Sequence, residues 1–439
     1  MNLRDTLKIN SAGVLEIGGA AATELVKSFG TPLYVLDEDY IRKVCRAFVK
    51  TMNEEYGDGN VCFASKALSC MAMYKLIGDE GLKADVVSGG EMYTALRAGF
   101  KGADMYFHGN NKLPKEIELA VSNGVRIIVV DNLMELPIID SIAKKYSVLQ
   151  KVLVRVNPGV EAHTHHFVQT ARADSKFGCS IALGEADIVI DAVKEYSNLD
   201  YHGLHCHIGS QIFDKTAYII AIDKMTSFIK ALEDRGIITN ELNLGGGFGI
   251  YYTEEDPKYT VDDYSEYVAT VARGVKSMIE TKQIRKPVLT IEPGRAIVGE
   301  AGITLYSAGM IRDIKDIKKY VAIDGGMFDN PRYALYNSKY SAVIANRANA
   351  PADEIVTIAG KCCESGDIIS KNVKLAKVEE GDIIAVFSTG AYNYSMSSNY
   401  NRNLVPPVVL VKDGKADYIV RPQSYEDLVR HDVIPARLK

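Results

Sequence analysis

The segment Val61-Cys62-Phe63-Ala64-Ser65-Lys66-Ala67-Leu68-Ser69-Cys70 opens a pattern that the chain then repeats as far as Ile291. The apolar run Val61–Ala64 reads as a buried strand, with Lys66 just past its end. A lysine at the lip of a buried strand loses hydration, which favours its neutral amine. A neutral amine is a nucleophile and can form a Schiff base with an aldehyde. The plainer reading is a lysine leaning into solvent where a strand stops, so a function for Lys66 has to be argued from the rest of the chain.

Further strand-like runs fall at Ala84–Val87, Asp104–Phe107, Arg126–Val130, Val152–Val156, His202–His207, Glu241–Leu244 and Val288–Ile291. Helical patterns lie between them, at Glu91–Ala98, Pro114–Val121, Leu133–Lys145, Glu185–Tyr196 and Ala217–Asp234. Eight strands alternating with helices fit an α/β fold of the closed parallel (β/α)8 type. The rival is an open doubly wound sheet. Its dinucleotide form is weakened because no Gly-x-Gly-x-x-Gly follows the first strand. Polar residues at the strand ends favour the barrel: Lys66, Asp85 and Ser88, His108, Asp131, Arg155 and Asn157, His205 and His207, Gly245–Gly247, Glu292 and Arg295. In such barrels the chemistry sits at the C-terminal ends of the strands.

Before the barrel, Val14–Ile17 is a short strand candidate that could join the sheet of a second domain. A helix is expected over about Ala21–Phe29, and Thr31-Pro32 starts the extended piece Leu33–Leu36. After about Gly299 come short β-rich runs at Ile303–Tyr306, Tyr320–Ile323, Ile355–Ile358, Asp382–Phe387, Val408–Val411 and Asp417–Val420. Asp413-Gly414 between the last two is a hairpin signal. The expected organisation is a barrel over 36–300, with 1–35 and 301–439 forming a mainly antiparallel β domain of sandwich or Greek-key type.

Bulk properties exclude several classes. The chain has 439 residues, 47% hydrophobic and 24% charged, with a formal net charge of −5. Nothing in that balance calls for nucleic acid or an anionic membrane. The N-terminus lacks the apolar core of a signal peptide, and no apolar run approaches the ~18 residues of a membrane span. Seven cysteines, with Cys362 and Cys363 adjacent, suit reduced thiols and a cytoplasmic home better than a disulfide framework.

The glycine turns point to a ligand. Asn243-Leu-Gly-Gly-Gly-Phe-Gly249 follows strand seven, and Ile291-Glu-Pro-Gly-Arg-Ala296 ends strand eight. Consecutive glycines let backbone N–H groups approach an anion, or simply make a tight turn. Turns on the last two strands match the usual phosphate site of this architecture. A phosphate site plus a strand-end lysine suggests pyridoxal phosphate, whose ring nitrogen wants an acidic or basic partner. Glu292 is the candidate, and a carboxylate there suits carbanion-forming decarboxylation. In His205-Cys-His-Ile-Gly-Ser-Gln211, alternation puts His205 and His207 on one face. His207 could stack on a cofactor ring and Ser210 could donate to a phosphate. Two histidines so spaced, with His163-Thr-His-His166, could equally ligate a metal. In Gly360-Lys-Cys-Cys-Glu-Ser-Gly-Asp367, Cys363 is a possible proton donor and Glu364 a possible ammonium binder, or the segment is a turn with two ordinary thiols. The loops carrying Arg332, Tyr336 and Tyr392 read, alone, as loops.

These motifs in this order resemble the diaminopimelate decarboxylase family, pyridoxal-phosphate enzymes of the alanine-racemase-like fold. The resemblance runs nearly end to end. It rests on Tyr-Val-Leu at Tyr34, Phe-Ala-Ser-Lys-Ala at Phe63, Asp-Val-Val-Ser-Gly-Gly-Glu at Asp85 and Phe-His-Gly-Asn-Asn-Lys at Phe107. It continues with Val-Glu-Ala-His-Thr-His at Val160, Lys-Phe-Gly at Lys176, the two histidine and glycine motifs above, Glu-Pro-Gly-Arg, Cys-Cys-Glu-Ser-Gly-Asp and Gly-Ala-Tyr at Gly390. It implies decarboxylation of meso-diaminopimelate to L-lysine, the last step of lysine biosynthesis, with no metal. Lys66 would hold the cofactor, His207 would stack on its ring, and Glu292 would face its nitrogen. Ser210, Gly247, the backbone near Gly294 and Arg295, and Tyr392 would bind its phosphate. Arg295, Arg332, Tyr336 and Tyr392 would meet the substrate, with Glu364 reading its distal ammonium and Cys363 a candidate acid. In the family the last two come from the partner, so a homodimer with shared active sites is implied. Where the family usually has proline after the arginine, this chain has Tyr333, which bears on the reach of Arg332 and not on the reaction class. The rivals are a decarboxylase of another basic amino acid, a non-catalytic cofactor-binding barrel, and a metal hydrolase using His163, His165 and His207.

Overall fold

A computed structural model describes residue 4 and residues 6–160 and 175–439. The chain divides into two compact units, one of Arg42–Ile250 and Tyr259–Ile297, the other of Met1–Ile41, Tyr251–Lys258 and Val298–Lys439.

The first unit is the barrel. Its eight parallel strands are Gly59–Ala64, Lys83–Val86, Met105–Phe107, Ile127–Val130, Gln150–Asn157, Leu199–His205, Glu241–Asn243 and Val288–Ile291. Each pairs with the next, and the eighth closes on the first with Ile291 opposite Val61. The runs are almost wholly buried, as parallel strands covered on both faces require. An added two-residue strand, Cys179–Ser180, lies parallel to the fifth. Helices follow most strands, among them Gly89–Arg97, Lys215–Asp234 and Val261–Lys282. Their starts are chemically marked: Ser88 accepts from the Glu91 N–H, Asp214 from the Thr216 N–H, and Thr260 forms a capping box with Asp263. Ser88 is therefore a helix cap, which corrects its reading as a functional strand-end residue.

Inside the barrel Cys62, Tyr106, Ile127, Val129 and Leu153 form one apolar cluster. At the N-terminal end of the seventh strand the fully buried Glu241 accepts from the hydroxyls of Tyr106 at 2.7 Å and Thr290 at 2.6 Å. Both bonds fall on Oε1, and Oε2 has Arg126 Nη2 at 3.8 Å as its counter-charge.

The second unit is built on a sheet that runs Ile368–Leu375, Glu354–Ala359, Lys318–Ile323, Gly302–Ile314, Leu33–Asp37, Val408–Lys412, Lys415–Val420. Ile383–Phe387 also pairs with the long strand Gly302–Ile314 and carries Ala342–Ile344 on its other side. Most pairings are antiparallel; Lys318–Ile323 with Glu354–Ala359 and Leu33–Asp37 with Val408–Lys412 are parallel. Asp413 and Gly414 both have positive φ in the turn joining Val408–Lys412 to Lys415–Val420, as a tight hairpin demands. The first β-segment does not join this sheet. Leu15–Ile17 pairs instead with Leu7–Ile9 and Ala20–Ala21 in a sheet of three, and its apolar side chains pack on the unit's core with Val35, Leu305 and Val409. The early chain enters the large sheet through Leu33–Asp37. Tyr251–Lys258 belongs here as well: Ser388 Oγ donates to the Tyr251 carbonyl at 2.7 Å, and the Ser341 N–H to that of Tyr252.

Leu153→Ala removes a wholly buried side chain from the barrel interior. Chemical denaturation should show a loss of about 2–5 kcal/mol, whereas a loss below ~1 kcal/mol would mean that the cluster does not hold the barrel together.

Candidate active site

Four strand ends converge on one carboxylate. Glu292 follows the eighth strand and is 5% exposed. Asn243, the last residue of the seventh, donates from Nδ2 to Glu292 Oε1 at 2.7 Å. His108, just past the third, places Nε2 at 2.9 Å from the same oxygen. His205, ending the sixth, places Nε2 at 3.2 Å from Oε2. The two imidazoles meet edge to face, with centroids 4.8 Å apart. Burial pushes the Glu292 carboxyl up, yet His108 and His205 beside it overcome that and hold the group well below the usual carboxylate range. Asp85 stands behind His108, its Oδ1 3.7 Å from Nε2. Burial lifts Asp85 to about 6, against the opposing pull of His108. Burial also lowers His108, but Asp85 and Glu292 outweigh it and leave that imidazole above its ordinary value. For His205 burial wins, and it falls to about 4.

His207 lies two residues beyond His205. Its Nδ1 accepts the Gly246 N–H at 3.2 Å, which fixes the ring. Burial, then the positive charge of Lys66, holds it well below the usual imidazole value, so His207 presents a neutral ring. Arg295 Nη2 donates to Ser210 Oγ at 2.9 Å. Lys66 sits on the one-turn helix Ser65–Ala67. Its two neighbours are buried and it is exposed, which corrects the expectation that strand-end burial strips its hydration. The short turn carries the side chain beyond the last buried layer. Its charge is nonetheless felt by Asp85, Glu91 and His207.

The glycine turns are narrower in purpose than their sequence suggests. The Gly245 N–H is taken by Asn243 Oδ1 at 2.8 Å and that of Gly246 by His207, so neither is offered to an anion. Gly247, at φ +119°, would bring a Cβ to 2.4 Å from the Gly209 carbonyl. A Cβ on Gly294 would come within 2.9 Å of Ala64 Cβ, beside the turn that carries Lys66. Both positions need glycine because the neighbouring chain packs too closely for a side chain. With Ser210 and Arg295 as further donors, these residues fit a phosphate group. A neutral flat imidazole and an ionised carboxylate fit the ring of pyridoxal phosphate.

The β unit holds the remaining residues. Arg332 begins the helical turn Arg332–Tyr336 and is buried. Its guanidinium lies over the rings of Tyr336 and Tyr392, 5.3 Å from each centroid. Tyr392 has φ +65°, a conformation that costs a non-glycine residue energy and turns the ring toward Arg332. Tyr333, in place of the expected proline, lies under Lys371 Nζ at 5.2 Å. Cys363 and Glu364 are exposed on a separate loop: the Cys363 N–H donates to Asn401 Oδ1 at 2.9 Å, and the Tyr400 hydroxyl donates to Glu364.

Sequence reasoning assigned no role to Asn243 or to His108 beyond its place at a strand end. The signal for Asn243 was period two: it shares the inward face with Glu241. The metal reading invoked His163, His165 and His207. The first two lie outside the described residues, and His207 Nδ1 is engaged by backbone. Among the described residues it is His108, His205 and Glu292 whose ligand atoms lie within 4.8 Å of one another, and Asn243 already donates to that carboxylate.

Such a barrel is of the class that binds pyridoxal phosphate. Residues 41–299 match the family described as pyridoxal-dependent decarboxylase, pyridoxal binding domain. The diaminopimelate decarboxylase of Bacillus methanolicus is 47% identical over 96% of this chain and 97% of its own length. That of Bacillus subtilis is 44% identical over 99% and 98%. Among solved structures, the diaminopimelate decarboxylase of M. jannaschii in co-complex with L-lysine covers 99% of both chains at 34% identity, with a TM-score of 0.91. The Helicobacter pylori enzyme complexed with L-lysine covers 93% of this chain and 98% of its own at 30% identity, with a TM-score of 0.84. The chain belongs to the diaminopimelate decarboxylase family of pyridoxal-dependent decarboxylases.

The lowered His205 value has a consequence for stability. Unfolded, that imidazole charges near its ordinary 6.5; folded, it stays neutral down to about 4. Its contribution is therefore present above 6.5 and lost as the pH falls toward 4. Comparing denaturation of the wild type and His205→Gln at several pH values, the difference should move against the wild type across that window. A pH-independent difference would contradict the assignment.

Proposed function

We propose that the chain converts meso-diaminopimelate to L-lysine and carbon dioxide with pyridoxal phosphate bound in the barrel mouth. The observation that carries this is Glu292, kept ionised at the mouth that Lys66 faces. The cofactor, when bound, supplies an electron sink for the bond that breaks. Lys66 provides the amine that holds it. His207 offers a flat uncharged face to its ring, and Glu292 a carboxylate to its nitrogen. Ser210, Gly247, Gly294, Arg295 and Tyr392 take the phosphate.

The substrate has two ammonium–carboxylate ends, of opposite configuration, so the site must hold one while the other reacts. Arg332, with Arg295, Tyr336 and Tyr392, grips the distal carboxylate, because a guanidinium meets a carboxylate through paired, charge-assisted hydrogen bonds. Anchoring the far end orients the reacting carboxylate, and the binding energy spent there appears as rate. Glu364 reads the distal ammonium and Cys363 is the acid that returns a proton. Both act as residues of the partner subunit in a cytoplasmic homodimer, the β domain of each chain completing the site of the other. The L-lysine in two of the related structures supports this product.

The test is carbon dioxide release over a panel of amino acids with cofactor present. Meso-diaminopimelate should be the substrate, with lysine and ornithine inert. Arg332→Ala should raise KM for the diamino diacid by roughly tenfold to a hundredfold, the range for losing a hydrogen bond to a charge. Turnover of ornithine at a comparable rate, or an unchanged KM, would reject the reading.

A further inference from the structure

We propose that His108 is a positioning residue that sets the charge of Glu292 and, through it, the protonation of the cofactor's ring nitrogen. The inference rests on the cofactor reading above. A carboxylate offers about four lone-pair directions. At Glu292 the protein fills two by hydrogen bonds, with Asn243 Nδ2 on Oε1 and His205 Nε2 on Oε2, and His108 Nε2 lies 2.9 Å from Oε1 as an ion-pair partner.

The three partners are not equivalent. Asn243 cannot turn over, because its Oδ1 is held by the Gly245 N–H. It gives Glu292 a neutral hydrogen bond of fixed sense. His205 is wholly enclosed, and burial keeps it uncharged. His108 alone lies between two carboxylates, 2.9 Å from Glu292 and 3.7 Å from Asp85. The edge of the His205 ring also meets it, and the charges of Arg155, Asp131 and Glu91 act on it from further off. His108 is thus the one partner of Glu292 able to carry a positive charge, and Asp85 is placed to keep that charge on. An imidazolium beside Glu292 keeps the carboxylate ionised in a buried place that would otherwise favour the acid. An ionised Glu292 in turn can only accept, so a ring nitrogen facing it must bring a proton.

The test uses holoenzyme carrying pyridoxal phosphate labelled with 15N in the ring, read by NMR, with kinetics alongside. His108→Leu should move the ring nitrogen signal toward the unprotonated position and shift the visible band. It should lower kcat by roughly tenfold to a hundredfold, the cost of removing a charged partner, with little change in KM. His108→Gln, whose amide nitrogen reaches the place of Nε2, should restore the signal in part. A ring nitrogen equally protonated in His108→Leu and the wild type overturns the proposal, as does a glutamine variant no better than leucine. Should the leucine variant fail to fold, Asp85→Asn gives the same readout: the signal should move the same way, and an unmoved signal overturns the proposal. If the wild type itself takes up no chromophore, the cofactor reading falls and this inference with it. A wild-type chromophore with an unmoved variant signal sinks this inference alone.

Discussion

One buried carboxylate ties the barrel's closure to its chemistry. Glu292 is met by side chains from the ends of the third, sixth and seventh strands, two by hydrogen bonds and His108 as an ion pair, and itself follows the eighth. Those side chains reach it only if the sheet has closed, and closure depends on the eighth strand lying against the first. The same segment is stitched to the neighbourhood of Lys66. The Ala64 N–H donates to the Pro293 carbonyl at 3.1 Å, and Gly294 leaves no room for a Cβ above Ala64. Lys66 and Glu292 are thus placed just past the ends of adjacent strands of one sheet. Rigid strands hold such a pair more closely than loops do.

The electrostatic balance at the mouth follows from unequal burial and unequal neighbours. His205 and His207 are driven neutral mainly by burial, while His108 is raised because two acids face it. Three histidines within one mouth therefore have three different duties. None could be assigned from the motif alone, since each depends on which carboxylate the fold brings up to it. The β unit solves a different problem. Arg332 is held between two tyrosine faces, which limits its rotamers, and its Nη2 lies 3.5 Å from Ser338 Oγ.

Much of this was legible in the sequence, for identifiable reasons. Parallel barrel strands are buried on both faces, so they stand out as short apolar runs, and Val288–Ile291 was bounded to the residue. The Asp413-Gly414 hairpin was legible because only a few residue types accept positive φ at both positions. Ile368–Leu375 escaped because Ser370, Lys371 and Asn372 interrupt its apolar pattern; it is recruited by pairing with Glu354–Ala359. Leu15–Ile17 was read as a strand, but its partners were not, since a three-residue run carries no register information. At the site, residue types were legible and partners were not. Gly245 and Gly246 looked like anion binders and prove to be committed to Asn243 and His207. Lys66 looked dehydrated and is exposed, on a one-turn helix whose other two residues are buried.

The central claim is that an aldehyde cofactor is anchored by the amine of Lys66 at the rim of a barrel whose mouth is electrostatically fixed by Glu292. Borohydride reduction of the cofactor-loaded protein, followed by proteolysis and mass spectrometry, tests it most directly. The account predicts a pyridoxyl adduct on the peptide containing Lys66 and on no other. An adduct confined to a different lysine, or none on protein that has taken up the cofactor, would contradict it.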